Sequence, residues 1–239
     1  MKCLSVIVPI YNEENNIYDL YLNITDAMKD RIESFEMVMV NDGSRDGSTR
    51  LLNEIAQCDP KVKIVHLERH YGLTAAIWAG IRHSEGKLIA LVDGGLQTDP
   101  RDIFRLMPFI NKIDFVNGRW TDSKEPWVNK LAYRSGILVR NWMSGDNLQD
   151  PTCPLKLFKR EVAENLYFFE GMHRFLPTLA RMHGYSVIEV SVTHRKRRQG
   201  GPRQRIIAEL CGGFMDAIVV GRLRKRVVRY REKEGLVQT

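Results

Sequence analysis

The sequence predicts an α/β fold with a mostly parallel, Rossmann-like sheet, helices on both of its faces and an amphipathic helix at the C-terminal end. Two observations lead to this prediction. Short apolar runs alternate with helical patterns along the first half of the chain, and repeated strand–helix–strand units favour parallel strands. The composition, 44% hydrophobic and 27% charged, is that of an ordinary globular protein. No apolar run approaches the roughly 18 residues of a membrane-spanning helix.

The first half of the chain supplies most of the predicted sheet. Short apolar runs indicate buried strands at 4–9, 35–40, 62–66, 88–92 and 113–117. Helical patterns lie between these strands at 13–31, 48–55 and 74–82. A further helix is expected to begin at Asp99-Pro100, because Asp is a good N-cap and Pro a good first helical residue.

The second half of the chain is less regular. Its patterns indicate helices and short strands at 127–143, 155–158, 173–183, 187–190 and 206–233. Without a linker or an internal repeat, we expect one domain, residues 1–205, and a C-terminal extension, residues 206–239. The four cysteines are scattered without a paired motif, which favours reduced thiols in a cytoplasmic protein.

Positive charge is concentrated at the C-terminal end. The net charge is +7, but residues 194–233 hold thirteen Lys and Arg against three Asp and Glu. Such a segment suits phosphates, nucleic acid or an anionic membrane. Nucleic acid is disfavoured, because neither interleaved aromatic residues nor a reading helix is evident.

Within the predicted C-terminal helix, four apolar residues share one face by helical spacing: Val220, Leu223, Val227 and Tyr230. Basic residues surround this face, so the helix is expected either to lie on an anionic bilayer or to pack against the domain or a second copy of the chain.

Polar residues follow three of the predicted strands. They are Tyr11-Asn12-Glu13, Asn41-Asp42 and Asp93. Ligands of parallel sheets bind outside the carboxyl ends of the strands, so these residues are expected to converge on one crevice. A dehydrogenase is disfavoured, because the first strand leads into Pro-Ile-Tyr-Asn-Glu-Glu and not into a glycine fingerprint.

The two acidic strand ends have alternative interpretations. Asp42 could accept hydrogen bonds from a ribose or a base, or belong to a turn and helix cap, as Asp46 and Ser48 are expected to do. Asp93 is followed by two glycines, where a substrate could approach closely. With the carbonyl oxygen of Gln97 it could hold Mg²⁺ or Mn²⁺, or it could be a turn residue.

A basic loop at 194–205 is the third candidate element. Its arginine forks can bind phosphate oxygens in pairs, and the Gly200-Gly201-Pro202 segment within it would allow the loop to fold over a diphosphate. The histidines His66, His70 and His83 are expected at the surface or in turns. Four aromatic residues are expected in the core: Trp78, Phe168, Phe169 and Phe175.

Three motifs in the first half resemble family 2 glycosyltransferases of the GT-A fold. They are Ser-Val-Ile-Val-Pro-Ile-Tyr-Asn-Glu-Glu at 5–14, Val-Asn-Asp-Gly-Ser-Arg-Asp-Gly-Ser at 40–48, and Asp-x-x-Leu-Gln-x-Asp-Pro at 93–100. In the second half, Glu-Gly-Met-His-Arg-Phe-Leu-Pro at 170–177 and the segment 184–197 resemble the polyprenyl-phosphate glycosyltransferases, dolichol-phosphate mannose synthase among them.

The resemblance, which runs from about residue 4 to about residue 205, implies an inverting transfer of a sugar from a GDP- or UDP-sugar to a polyprenyl phosphate, assisted by Mg²⁺ or Mn²⁺. It implies a cytoplasmic protein that is peripheral at the inner face of an anionic membrane. The expected partners also include a second copy of the chain, and nucleic acid is not expected among them.

The implied nucleotide-binding residues are Pro9, Tyr11, Glu13, Val40, Asp42, Asp93, Gly94, Gly95, Gln97, Arg195, Arg197 and Arg203. The implied metal ligands are Asp93 and Gln97. Those implied to hold the acceptor phosphate are Arg119, Arg134 and Ser135. The implied catalytic residues are Asp93, Asp150 and Arg197.

The sequence departs from the family pattern in three places. The usual Asp-x-Asp is Asp93-Gly94-Gly95, Gly-x-Ser-Lys is Gly200-Gly201-Pro202-Arg203, and a Gly-Cys or Gly-Phe pair after the Asp150 position is replaced by Thr152-Cys153-Pro154. The missing carboxylate at Gly95 predicts weaker metal binding or an altered donor. It also supports an alternative function, a catalytically impaired nucleotide-sugar-binding protein on the same fold.

Overall fold

A computed structural model describes residues 3–32, 34–120, 137–194 and 216–224. Its β-sheet has seven strands, whose bounds are β1 Leu4–Ile10, β2 Phe35–Asn41, β3 Val62–His66, β4 Leu88–Leu91, β5 Phe115–Trp120, β6 Lys156–Lys159 and β7 Val187–Val192. The strand order is β3-β2-β1-β4-β6-β5-β7. Every pairing is parallel except those of β6, which runs antiparallel to β4 and β5.

Helices cover the sheet. The longer ones are α1 Ile17–Met28, α2 Ser48–Cys58 and α3 Leu73–His83. The shorter ones are α4 Ile103–Leu106, α5 at 137–144, α6 Arg160–Glu164, α7 Leu176–Met182 and α8 at 216–224. Turns of 3₁₀-helix at Pro100–Asp102 and Met107–Phe109 flank α4, and another at Met172–Arg174 precedes α7.

Apolar cores lie on both faces of the sheet. Because successive strand residues point to opposite faces, Val6 and Val8 of β1 pack in the core that includes α1 and α4, whereas Ile7 packs in the core that includes α3 and α7. All three side chains are fully buried. The predicted fold class, a mostly parallel sheet with helices on both faces, is therefore confirmed.

The order of the strands creates a switch point beside β1. The chain proceeds from β1 to β2 and β3 on one side, and then returns to place β4 on the other side. In open α/β sheets, a crevice opens at such a point outside the carboxyl ends of the strands. The polar residues that follow β1, β2 and β4 therefore share one edge of the sheet.

Several boundaries differ from the sequence prediction. The first helix begins at Ile17, because residues 13–16 form a turn in which the amide of Asn16 donates to the carbonyl of Glu13 at 2.8 Å. The helix expected after Asp99 is broken into short turns, with a proline at the first or second position of each flanking 3₁₀ segment. β5 continues to Trp120, which places residues 119–120 within the sheet.

The C-terminal helix contradicts one sequence interpretation in its described part. Val220 is fully buried, and Leu223 packs against the same core as α3 and α7. This apolar face therefore covers the domain and does not face a bilayer. Residues 225–239, with the rest of the predicted helix, lie outside the described residues. The boundary at residue 205 stays a prediction.

Two further sequence expectations can be compared with the structure. Phe168, expected in the core, is 53% exposed and stacks on Trp78 with ring centroids 5.3 Å apart, whereas Phe175 is buried as expected. Within the described ranges, none of the helices has the length and apolar character needed to cross a bilayer.

Candidate active site

The first part of the candidate site lies at the ends of β1 and β2. Asp42 is almost fully buried, and its carboxylate accepts hydrogen bonds from the amides of Tyr71 at 2.8 Å and Gly72 at 2.9 Å. The Nδ1 atom of His70 lies 2.8 Å from the same carboxylate. Asp42 therefore holds the loop that leads from β3 into α3.

Gly43 allows this loop to lie close to the end of β2. Its φ is +64°, and a Cβ atom there would lie 2.3 Å from the carbonyl carbon of Arg69 and 2.5 Å from the nitrogen of His70. Only glycine combines a positive φ with such a close approach of backbone to backbone. The turn signal recognised in the sequence at this point thus has a tertiary role.

His70 was expected at the surface or in a turn, and its side chain is indeed 42% exposed. However, its ring stacks on Tyr11 with centroids 3.9 Å apart and an interplanar angle of 22°. Together with Asp42, the two rings form a compact group that sequence reasoning missed. The available signal was that the loop after β3 leaves the sheet at the same carboxyl edge as Tyr11 and Asp42.

The turn after β4 packs against the end of β1. A Cβ atom on Gly94 would lie 2.7 Å from the carbonyl oxygen of Pro9 and 3.8 Å from Cγ of Glu13. Three residues predicted to bind the nucleotide are thereby brought together. Val40, another predicted residue, has a fully buried side chain that packs against α3 near Gly80.

Asp93 shapes its own turn. One carboxylate oxygen accepts from the amide of Gln97 at 2.7 Å, and the other accepts from the amide of Thr98 at 3.1 Å and its hydroxyl at 2.5 Å. Leu96, inside this turn, has a φ of +57°. The hydrogen bonds thus agree with the turn interpretation of Asp93.

The described residues do not fit a metal site built from protein ligands alone. Both oxygens of Asp93 accept hydrogen bonds within the turn, and Gly95 supplies no second carboxylate. Over the described ranges, no group of three His, Cys, Asp or Glu side chains could hold a metal ion.

Asp150 lies on the other part of the same edge. It is 4% exposed, and its carboxylate accepts from the amide of Trp120 at 2.9 Å. The ring of Trp120 lies 4.3 Å from that of His194, which pairs with Thr98 through an isolated β-bridge. Since Thr98 donates to Asp93, a continuous set of contacts connects Asp93 to Asp150.

The remaining predicted residues fall into two groups. Arg119 donates to the side chain of Gln149 and, at 3.1 Å, to Ser191. Its guanidinium therefore contacts the residue that precedes Asp150 in the sequence. The others lie outside the described residues: Arg134, Ser135, Arg195, Arg197 and Arg203.

The site therefore has two sides. The β1–β3 rim comprises residues 9–13, 42–43 and 69–72, and the β4–β7 rim comprises residues 93–98, 119–120, 149–153 and 194. A crevice at the switch point of a doubly wound sheet is typical of nucleotide-binding proteins.

The family described as Glycosyl transferase family 2 matches residues 5–167, and the chain belongs to this family.

Relatives with a more specific name cover most of the chain. The chain is 31% identical over 204 residues to the undecaprenyl-phosphate 4-deoxy-4-formamido-L-arabinose transferase of Edwardsiella ictaluri. The aligned region covers 84% of the chain and 62% of the relative. The transferase of the same name from Aeromonas hydrophila is 30% identical over 202 residues, with the same coverage. The chain thus spans about three fifths of the length of these relatives.

Solved structures share the fold at low identity. Glucosyl-3-phosphoglycerate synthase from Mycobacterium tuberculosis in complex with uridine diphosphate has a TM-score of 0.69 and 18% identity, over 92% of this chain and 80% of that one. The same enzyme with Mn²⁺, UDP-glucose and phosphoglyceric acid gives 0.69 and 17%, over 92% and 79%.

Proposed function

We propose that this protein is an inverting glycosyltransferase that moves a sugar from a nucleotide-sugar to a polyprenyl phosphate. The observation that carries the proposal is the pair of rims at the switch point. The two rims meet where Gly94, the residue after Asp93, packs on the carbonyl oxygen of Pro9. Membership of the family and the names of the relatives support the same activity.

The nucleotide end of the donor is proposed to bind at the β1–β3 rim. Stacking on an aromatic ring is available to any nucleobase, and the Tyr11–His70 pair offers such a surface beside Asp42. The uridine diphosphate in the neighbouring structures favours a uridine donor over a guanosine donor. Arg195, Arg197 and Arg203 are proposed to bind the diphosphate, which suits guanidinium groups.

The chemistry requires positioning and charge stabilisation more than proton transfer. A phosphate oxygen of the acceptor is already anionic, so its electron pair can form the new bond to the anomeric carbon directly. The bond from that carbon to the donor diphosphate breaks at the same time, and the nucleoside diphosphate leaves with the electron pair. Attack from the opposite face inverts the anomeric configuration, and arginines stabilise the charge that grows on the leaving group.

The protein offers few ligands for the metal ion that assists this transfer. Neighbouring structures contain Mn²⁺ or Mg²⁺, but here only Asp93 and Gln97 are available from the predicted ligand set. An ion at this edge would need oxygens of the donor diphosphate to complete its coordination. We therefore propose a weak requirement for Mg²⁺ or Mn²⁺.

Helix α5 is proposed to contact the anionic membrane that holds the lipid acceptor. Leu138, Val139 and Trp142 are 69%, 45% and 85% exposed, and their spacing places them on one side of the helix. Arg140 connects α5 to the rest of the domain by a 2.8 Å hydrogen bond to the hydroxyl of Thr178 in α7. Tryptophan favours the membrane interface.

Basic residues adjoin this apolar surface. Trp142 lines a shared groove with Arg222 and Arg224 of α8, and both arginines are exposed. Such cations attract anionic headgroups, so the combination favours a peripheral protein at the inner, cytoplasmic face. The alternative is that this surface pairs two copies of the chain.

Transfer can be tested directly with the purified protein. A panel of UDP- and GDP-sugars is incubated with undecaprenyl phosphate, with and without Mn²⁺, and the sugar-linked lipid is measured by mass spectrometry. We expect product with at least one uridine donor. Thermal stabilisation by a donor without any product would favour the alternative function, a non-catalytic nucleotide-sugar-binding protein, whose motive is the missing carboxylate at Gly95.

The variant Gly95→Asp distinguishes these two functions further. In an active enzyme with weak metal binding, the added carboxylate lowers the Mn²⁺ concentration needed for half-maximal activity. In an impaired protein it creates activity that the natural chain lacks. If no donor stabilises the natural chain, both proposed functions are wrong.

A further inference from the structure

A buried lysine binds the backbone segment that follows Asp150. Lys156 of β6 is 3% exposed, and its Nζ donates to the side-chain oxygen of Asn117 at 2.6 Å, to the carbonyl of Pro151 at 3.0 Å and to that of Cys153 at 2.6 Å. An ammonium group has three N–H donors, so each one has an acceptor. Fully buried lysines are rare, because removing the charge from water is costly.

The lysine reaches Asp150 itself through Asn117. While Oδ1 of Asn117 accepts from Lys156, its Nδ2 donates to the carbonyl of Asp150 at 2.7 Å. From the other side, Glu189 accepts from the amide of Asp150 at 2.8 Å. Both backbone polar groups of Asp150 are therefore held by buried or half-buried side chains. Lys156 sets the orientation of one of these side chains, that of Asn117.

We propose that Lys156, as an ammonium ion, is the positioning residue for the 150–153 segment and thereby for Asp150 in the transfer reaction. The proposal rests on the proposed function, because it assigns Asp150 to the reaction centre. Lys156 is too deeply buried to touch a substrate, so its effect passes through the segment. An apolar residue in its place would leave three buried oxygens without donors, which is unfavourable.

The charge of the lysine makes this arrangement sensitive to pH. Burial is the main cause that lowers the pKa of Lys156 to about 8. The charged or titratable groups that face it are Asp150, Cys153, Glu189, Arg140 and His173. Above pH 8 the neutral amine has two N–H donors for three acceptors, so one of the three contacts, to Asn117 or to the segment itself, is lost.

Two of these neighbours are uncharged while Lys156 titrates. Burial raises the pKa of the Cys153 thiol to about 12, and burial is also the main cause that lowers the pKa of His173 to about 3. Between these values neither side chain changes its charge, so neither accounts for a change near pH 8.

The test compares Lys156→Met with Lys159→Met. Lys159 lies on the same strand, but its amine pairs with Asp114 at 2.7 Å, and it is opposite Leu88 at the start of β4, away from the rim. We expect Lys156→Met to lower kcat by about 10²-fold, since a displacement of about 1 Å in the site has an effect of that size. The Kd for the donor should change less than about threefold, and Lys159→Met should match the natural chain.

The pH profile separates positioning from a general loss of stability. In the natural chain, kcat should fall above pH 8, and this decline should be absent from the residual activity of Lys156→Met. An unchanged kcat in Lys156→Met, or an identical decline above pH 8 in that variant, would overturn the proposal.

Hydrogen exchange covers the cases in which kinetics cannot be measured. If the natural chain transfers no sugar to the lipid, the proposed function fails, and exchange of the four amide hydrogens in the segment 149–154, those of residues 149, 150, 152 and 153, still tests the positioning role. We expect faster exchange there in Lys156→Met than in Lys159→Met. If Lys156→Met does not fold, the natural chain is compared at pH 7 and pH 9 after correction for intrinsic rates, and unchanged protection of 149–154 would contradict the proposal.

Discussion

The two rims of the site are built by different means. In the β1–β3 rim, the carboxylate of Asp42 accepts hydrogen bonds from the backbone amides of residues 71 and 72. The adjacent Gly43 allows the loop at 69–72 to lie close to the end of β2. In the β4–β7 rim, the side chains of Asn117, Lys156 and Glu189 bind the backbone of residues 149–153. In the β1–β3 rim, one buried carboxylate and one close glycine contact therefore hold the 69–72 loop, whereas in the β4–β7 rim buried or half-buried side chains from three strands hold the 149–153 segment.

This difference follows from the strand arrangement. The β1–β3 rim is formed by consecutive parallel strands, whose carboxyl ends meet at one edge. The β4–β7 rim contains the antiparallel β6, so the segment before β6 enters the edge from outside the repeating unit. Its backbone polar groups are then satisfied by side chains, as buried groups must be. We expect the first rim to be sensitive to steric changes and the second to changes of charge or hydrogen bonding.

The largest expected effect on stability concerns His173, which lies in the second half of the chain and contacts Thr74 in the first half. Its Nδ1 lies 2.7 Å from the hydroxyl of Thr74 at the start of α3, and burial, followed by the charges of Arg174 and Lys156, lowers its pKa to about 3. As pH falls below the unfolded pKa of about 6.5, the unfolded chain binds a proton that the folded chain does not. The free energy of unfolding should then fall by about 1.4 kcal/mol for each pH unit from this residue, down to about pH 3.

Urea unfolding between pH 7 and pH 4 measures this effect. His173→Asn should show a shallower loss of stability than the natural chain over that range. His83→Asn is the control, because His83 is exposed and the Nδ1 atom of its ring lies 2.8 Å from the carbonyl of Ala79 within its own helix. Equal slopes in all three proteins would show that His173 is not the group responsible.

Gly43→Ala is expected to disrupt the β1–β3 rim. Backbone strain at positive φ and the collision with residues 69–70 together should lower the free energy of unfolding by about 3 kcal/mol. Gly72→Ala is the matched control, since Gly72 also has a positive φ of +94° but no atom within 4 Å of a Cβ. Similar losses in both variants would mean that the close approach at Gly43 is unimportant.

Glu189→Gln should weaken the β4–β7 rim without a steric change. The two carboxylate oxygens accept the amides of Gln149 and Asp150 at 2.7 and 2.8 Å, and an amide side chain can accept only one of them. We expect a loss of about 2 kcal/mol in unfolding free energy and a lower kcat, with donor affinity preserved. Glu161→Gln in α6, where the residue is exposed, is the control. A larger effect on donor affinity than on kcat would reverse the assignment of the two rims.

Tyr11→Ala should have the smallest effect on stability and a selective effect on the donor. Loss of base stacking, about 1–3 kcal/mol, should weaken donor binding about tenfold, as measured by calorimetry. Tyr18→Ala on α1, where the ring is 47% exposed, serves as the comparison. Unchanged donor affinity in Tyr11→Ala would remove the proposed base site from the β1–β3 rim.

Much of the first rim was predictable from the sequence. The turn at 41–44 and the residues after β1 and β4 are local patterns, and parallel topology brings them to one edge. His70 was missed because a single histidine in a loop carries no periodic signal. Its contact with Tyr11 depends on how closely the loop packs on Gly43.

The second rim was less predictable for a related reason. Asp150 was selected only through a family resemblance, and no local pattern indicated that Lys156 would be buried with three acceptors. A lysine between apolar residues in a short strand usually points its amine to solvent. Here an antiparallel strand in the middle of the sheet leaves no solvent-exposed side for it.

The amino-acid sequence by itself determined the fold class, the order of most strands and helices, and the edge at which the polar residues meet, because these depend on periodicity, turn residues and topology. Only the tertiary structure decided which side of α8 is buried, that the exposed apolar surface belongs to α5, and which side chains support Asp150. Those outcomes depend on contacts between residues far apart in the chain, where burial and hydrogen bonding are satisfied jointly and local preferences do not choose between the alternatives.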